Sequence, residues 1–218
     1  MSEAPECFIF SQVPTHLAGH AFAFFRAVSQ DNSHIWPRTE KDFERYALDG
    51  ELFGVRRQSS GEFVALCYVT LNDNEWELGG IIVAPDAKGL GIATLLARFA
   101  IAHTIAHQRP WSYGQNVIAM VHEANNEPRG LLQRIGFDRG ERLTVPDHAA
   151  PPSMRRDAEG KLKGDKFHFH HTGVVPLYNW FNDEFRGVLA DGRSRCVLEL
   201  SGGLDTLIEA LREAASEV

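Results

Sequence analysis

A chain of 218 residues, 44% hydrophobic and 23% charged, is long enough to bury a sizeable core and excludes disordered and fibrous classes. With 22 Lys and Arg against 29 Asp and Glu, the formal charge is -7 and the basic residues are scattered. Nucleic acid is therefore not an expected partner, and the acidity serves solubility or suits a cationic amine. Cys7, Cys67 and Cys196 form no CxxC pair, the acidic start lacks a basic leader, and no apolar run reaches membrane-spanning length. These features predict a cytoplasmic protein with reduced thiols and no membrane association.

In chain order, residues 7–10 read as a short apolar strand, and Leu17, Phe22, Phe25 and Val28 recur at helical spacing over 16–28. A second short helix spans 42–48 and stops near Gly50. Strands at 52–57 and 63–71 flank QSSGE, which has hairpin-turn chemistry, and 76–83 adds another strand. The stretch 91–107, GIATLLARFAIAHTIAH, is rich in Ala and Leu and ends before Pro110, so a long helix is expected. NVIAMVH at 116–122 fits a buried strand, and 128–135 a helix closed by Gly136.

Beyond Phe137 the pattern weakens. Residues 146–166 carry Pro, Gly and charges and read as a loop or insertion. Residues 166–175 and 195–200 are strand candidates, 178–185 a turn of helix, and 204–217 an amphipathic helix.

Between the strand ending at Pro85 and the helix starting near Gly91 lies DAKGLG. A helix start presents amides without partners and the positive end of the macrodipole, which suits an anion such as a pyrophosphate. Gly89 and Gly91 allow close backbone approach, Lys88 adds a cation and Thr94 a hydroxyl. A Walker loop needs Gly-Lys-Ser/Thr at its end, whereas here the lysine precedes the glycines. GLGIAT approaches the dinucleotide fingerprint, but no acidic residue ends the next strand about 20 positions on, since Glu123 is too distant.

Lys88-Gly-Leu-Gly91-Ile-Ala93 resembles the coenzyme A signature of the GNAT superfamily of N-acetyltransferases, Arg/Gln-x-x-Gly-x-Gly/Ala, with Lys for the first residue. ANNEPRGLLQRIGF supplies the second half of that family's pattern, Asn125 followed at the family spacing by Gly136-Phe137. The two motifs come in the right order and together cover 76–137.

The resemblance implies an α/β protein with a mixed, mostly antiparallel twisted sheet, splayed central strands at 76–83 and 116–122, and flanking helices. Residues 1–175 would be the acyltransferase domain, with 146–166 inserted. Residues 176–218 would extend it by a strand and a helix that either pack on the sheet or build a homodimer. It further implies acetyl-CoA as co-substrate and a primary amine of a small molecule or peptide as acceptor. Lys88, Gly89, Leu90, Gly91, Ile92, Ala93, Thr94 and Asn125 would hold the cofactor, and the N–H of Ile82 or Val83 would polarise the acyl carbonyl.

Glu77 is the family-implied candidate for the base, with Glu123 and His122 as weaker ones. Where the family commonly carries an acidic tyrosine, this sequence has Leu132, which leaves solvent or a hydroxyl such as Tyr113 or Tyr178 to protonate the thiolate. A non-catalytic acyl-CoA-binding module is the alternative reading, and a nicotinamide enzyme a third that rests on GLGIAT alone. His168 and His170 share one face of a strand at metal-compatible spacing, but no third ligand accompanies them and no metal is expected. The aromatic groups Phe22, Phe24, Phe25 and Tyr178, Trp180, Phe181 are expected in the core or at a dimer surface.

Overall fold

The computed structural model describes residues 5–217; the acidic start at 1–4 lies outside the described residues. Among the described residues, eight strands form one sheet in the order β6-β7-β5-β4-β3-β2-β1-β8. The strands are β1 (Cys7–Gln12), β2 (Leu52–Arg57), β3 (Phe63–Asn72), β4 (Glu75–Val83), β5 (Asn116–His122), β6 (Phe137–Val145), β7 (Leu162–Phe169) and β8 (Arg195–Glu199). All neighbours run antiparallel except β4 with β5 and β1 with β8.

Side-chain alternation along the strands divides the core into two layers. Phe53, Val55, Ala65, Cys67 and Val69 face one side, where α3 (Ile92–Gln108), α4 (Glu127–Arg134), α5 (Val174–Asn179) and α6 (Gly203–Ser216) pack. Leu52, Leu66 and Tyr68 face the other side, against α1 (Ala18–Ser29) and α2 (Glu40–Leu48). Phe22, Phe24 and Phe25 belong to the second layer, and Tyr178, Trp180 and Phe181 to the first. α3 is buried nearly all round because the sheet lies beneath it and α5 and α6 above. An apolar, Ala-rich helix without a polar face suits that middle position.

The weakly patterned part from Phe137 on contains three strands, β6, β7 and β8, where two were expected. β6 pairs with β7, and β7 in turn with β5, so the last motif leads into the far edge of the sheet. β6 is largely exposed and bulges between Arg139 and Arg142, which breaks the alternation that would mark a strand. β7 starts at Leu162, inside the expected loop, and ends at Phe169, so the expected strand over 166–175 stops early and a short helical turn follows. Asp165, buried on β7, accepts Arg139 at 2.9 Å and pairs with Arg129, tying β6 and α4 to the strand between them. The crossing between β6 and β7 packs Ala150 and Met154 with Trp36, and Arg155 N–H donates to Ser33 O at 3.0 Å.

β8 joins the sheet beside β1 and α6 packs on α3 and α5. The turn before β8 reaches back across the molecule, where Ala190 N–H donates to Leu90 O at 2.9 Å.

Candidate active site

β4 and β5 pair only through Glu75↔Asn116, Trp76↔Val117 and Glu77↔Ile118. Beyond that row the two strands diverge, and the fork opens toward the glycine loop. The divergence coincides with a twist in β4. Trp76 and Leu78 pack in the α3 layer, whereas Ile82, which would point the same way in a regular strand, packs in the α1–α2 layer. Gly80 has φ +59, and the register with β3 shifts between Leu66 and Tyr68. A Cβ on Gly79 would fall 2.5 Å from the Tyr68 hydroxyl, so only glycine lets that ring lie against β4.

Past the twist, Ala84 N–H donates to Val64 O at 2.7 Å. Antiparallel ladders turn alternate amides to alternate sides, so Ile82 also faces β3, while Ile81 and Val83 direct their N–H groups into the fork. Of the two expected carbonyl polarisers, Val83 thus has the suitable orientation and Ile82 does not.

At the mouth of the fork, Gly89 and Gly91 both have φ +83 and α3 starts without a side-chain cap. Among the described residues, none of the amides of residues 89–94 donates to another group. A Cβ on Gly89 would meet nothing within 4 Å, so the loop is open above that position. Lys88 stands 3.9 Å from Glu127 at the start of α4, which closes the rim on the β5 side. Asn125 lies in the turn before α4, its N–H bonded to His122 O at 2.9 Å. The cradle is lined by a run of free donors at a helix start, which is the chemistry of an anion site.

Glu77 sits in the last paired row, on the face shared with Tyr68, and its Oε2 accepts from Asn72 Nδ2 at 3.1 Å. Burial pushes its carboxyl above the usual carboxylate range, while the Arg38 charge and the Asn72 hydrogen bond pull the other way. Arg38 precedes α2 and donates through Nε and Nη2 to the Tyr68 hydroxyl at 3.1 and 2.7 Å. Tyr46 stacks on Tyr68 with centroids 4.8 Å apart. Burial drives the Tyr68 phenol far upward, so it stays neutral.

Arg38, Tyr46 and Tyr68 were not among the sequence-derived candidates. The only local signal was the Gly79-Gly80 pair inside a strand pattern, which marks a bulge or a close approach.

The remaining candidates are dispersed. Glu123 is ion-paired with Arg142 and lies five residues along β5 from the Glu77 row, about 16 Å at strand rise. His122 has both nitrogens engaged, Nδ1 accepting from Ala124 N–H at 3.0 Å and Nε2 donating to Arg155 O at 2.7 Å. Tyr113 is 74% exposed at the start of β5, the end of the sheet away from the glycine loop. Tyr178 belongs to α5, packed against α6 on the α3 side of the sheet. Leu132 is 1% exposed within the core. His168 and His170 have ring centroids 6.4 Å apart and approach Glu141 and Asp138 separately. Among the described residues, no group of three His, Cys, Asp or Glu side chains is arranged for a metal ion.

The family model "Acetyltransferase (GNAT) family" matches residues 21–137, more than half of the chain. The chain belongs to the GNAT acetyltransferases. No curated protein matches the sequence significantly. Among solved structures, a putative acetyltransferase from Acinetobacter baylyi has a TM-score of 0.56 at 12% identity, covering 77% of this chain and 93% of that one. The polyamine N acetyltransferase of Drosophila melanogaster gives 0.55 at 13%, covering 75% and 99%. The ribosomal-protein-S18-alanine N-acetyltransferase of Escherichia coli gives 0.50 at 18%, covering 74% and 92%. At such identities the likeness is one of fold. The GNAT match ends at Phe137, so β6, β7, β8 and α6 lie beyond the matched segment or at its boundary. Among the described residues, no helix is long and apolar enough to cross a membrane.

Proposed function

We propose that this GNAT protein transfers an acetyl or similar short acyl group from acetyl-CoA to a primary amine of a small molecule or peptide. The observation that carries this reading is the run of uncommitted amides at 89–94 placed at the mouth of the β4–β5 fork. A pyrophosphate suits those donors and the dipole of α3, and the open edge of β4 suits the amide groups of a pantetheine arm.

When bound, acetyl-CoA supplies a thioester carbonyl for attack by the amine. Glu77, raised by burial, takes the proton that the attacking amine must lose, relayed through water because Val83 lies six residues further along β4. The Val83 amide donates to the carbonyl oxygen as charge builds there. Tyr68 and Arg38 hold the acceptor side of the fork in shape, and packing within the cleft supplies proximity. With Leu132 buried, no hydroxyl reaches the leaving sulfur from α4, and solvent protonates it. The free thiols at Cys7, Cys67 and Cys196 favour action in the cytoplasm.

Calorimetric titration with acetyl-CoA tests the cradle: binding is expected for the native chain and lost in Gly91→Arg. Unchanged affinity in that variant would sink the assignment. Leu132 motivates a second reading, a module that binds acyl-CoA without turning it over. Tight binding without thiol release across a broad amine panel would favour that reading.

A further inference from the structure

A cavity of about 310 Å³ opens on the α1–α2 side of the sheet, walled by Phe22 and Phe25 of α1, Ile35 and Arg38 of the following connection, and Ser153 of the β6–β7 crossing. Arg38 links this cavity to the fork: it lines the cavity, holds the hydroxyl of the buried Tyr68 whose ring lies on Gly79 and Gly80, and its charge reaches Glu77. Such a volume is at the small end for ligand sites, suited to a single compact molecule.

The charge placement within this cavity is specific. A guanidinium has five N–H donors, and Arg38 spends two on a neutral phenol. Among the described residues it forms no ion pair with a carboxylate, although it is only half exposed. A desolvated cation without a bound anion is costly, and the planar edge of a guanidinium matches a carboxylate in two parallel hydrogen bonds. Glu77, close enough to feel the Arg38 charge, lies toward the fork. At the rim, exposed Arg26 and Asp31 offset one another.

We infer that the acceptor is an α-amino acid with an apolar side chain, its amine directed to Glu77, its carboxylate to Arg38 and its side chain to Phe22, Phe25 and Ile35. The inference rests on the acetyl-transfer reading and sharpens its acceptor. A polyamine would set a second ammonium against Arg38, and the only carboxylate among the lining residues is that of exposed Asp31. The chain's overall acidity favours cationic acceptors at long range, but at contact the Arg38 charge outweighs it.

The test measures thiol release with leucine, methionine and phenylalanine against their carboxamides and the corresponding amines without a carboxyl group. The amino acids should show kcat/KM higher by about tenfold or more, the worth of one charge-assisted hydrogen-bonded contact. Arg38→Met should raise KM for the amino acids and erase the preference over the carboxamides, Arg38→Lys should keep part of it, and Tyr68→Phe should retain it. Acetyl-CoA titration of each variant reports whether the fold survives.

Equal or better turnover of the carboxamides would overturn the carboxylate assignment and leave acetyl transfer standing. An equal loss on both classes in Arg38→Met would assign Arg38 a purely positioning role and also overturn it. Acetyl-CoA binding with no turnover of either class would take down the acetyl-transfer reading itself.

Discussion

The ring of Tyr68 occupies the space that side chains on Gly79 and Gly80 would need. This contact connects the α1–α2 side of the sheet to the point where β4 leaves β5, since the same hydroxyl is held by Arg38. Gly79→Ala should therefore lower stability by about 1–3 kcal/mol through overpacking. Adding Tyr68→Leu should recover part of that loss. Denaturant unfolding of both single variants and the double variant gives the coupling, and simple additivity would show that the two positions do not compete for space.

Glu77→Gln should reduce kcat by about 10²–10⁴-fold while acetyl-CoA affinity stays unchanged. Because burial raises the Glu77 carboxyl, the acid limb of the rate profile should lie above the ordinary carboxylate range in the native protein. Arg38 pulls that value down, so Arg38→Met should move the limb to higher pH. A limb that stays in place, or moves down, would remove Glu77 from the role of base.

At Gly89 the two costs of a side chain separate. Gly89→Ala meets no protein atom within 4 Å, so its stability penalty is only the strain of φ +83, about 1 kcal/mol. The new methyl nevertheless stands in the cradle, and acetyl-CoA affinity should fall much further than stability. Thermal unfolding and calorimetry on the same sample separate the effects; parallel losses would indicate a merely structural loop.

His103 is 8% exposed on α3, and burial together with the neighbouring His107 lowers its pKa to about 4 from the ordinary 6.5. The folded state therefore resists protonation that the unfolded chain accepts. Its stability is full above about pH 6.5 and declines as pH falls toward 4, by about 3 kcal/mol at most. His103→Gln should flatten that part of the stability curve, and an unaltered slope between pH 6.5 and 4 would place the titration elsewhere.

The sequence was legible where one segment carries its own signal. α3 declared itself through an unbroken Ala and Leu content, and the loop before it through Gly89 and Gly91, whose φ values require glycine. β6 was not legible, because FDRGERLTV is an exposed edge whose bulge disrupts period-two patterning. The Arg38–Tyr68 contact was hidden for another reason. Its partners are 30 residues apart and meet only after α2 and two strands have formed, so no local periodicity links them. Glu77 could be named from the sequence, but its setting could not, since burial and the nearby guanidinium are products of the tertiary fold.

The turn that begins at Ala190 meets the glycine loop by one backbone hydrogen bond, N–H to carbonyl at Leu90, with the Ala190 methyl beside Gly91. Side-chain scanning is blind to such a link, and position 190 is already alanine. Ala190→Pro removes the donor, and it should loosen the loop and weaken acetyl-CoA binding, with faster amide exchange in residues 89–94. Unchanged exchange there would mean that the loop holds its shape unaided. If exchange does rise, then sequence drift in the last fifth of the chain can leave cofactor affinity intact so long as one peptide hydrogen survives.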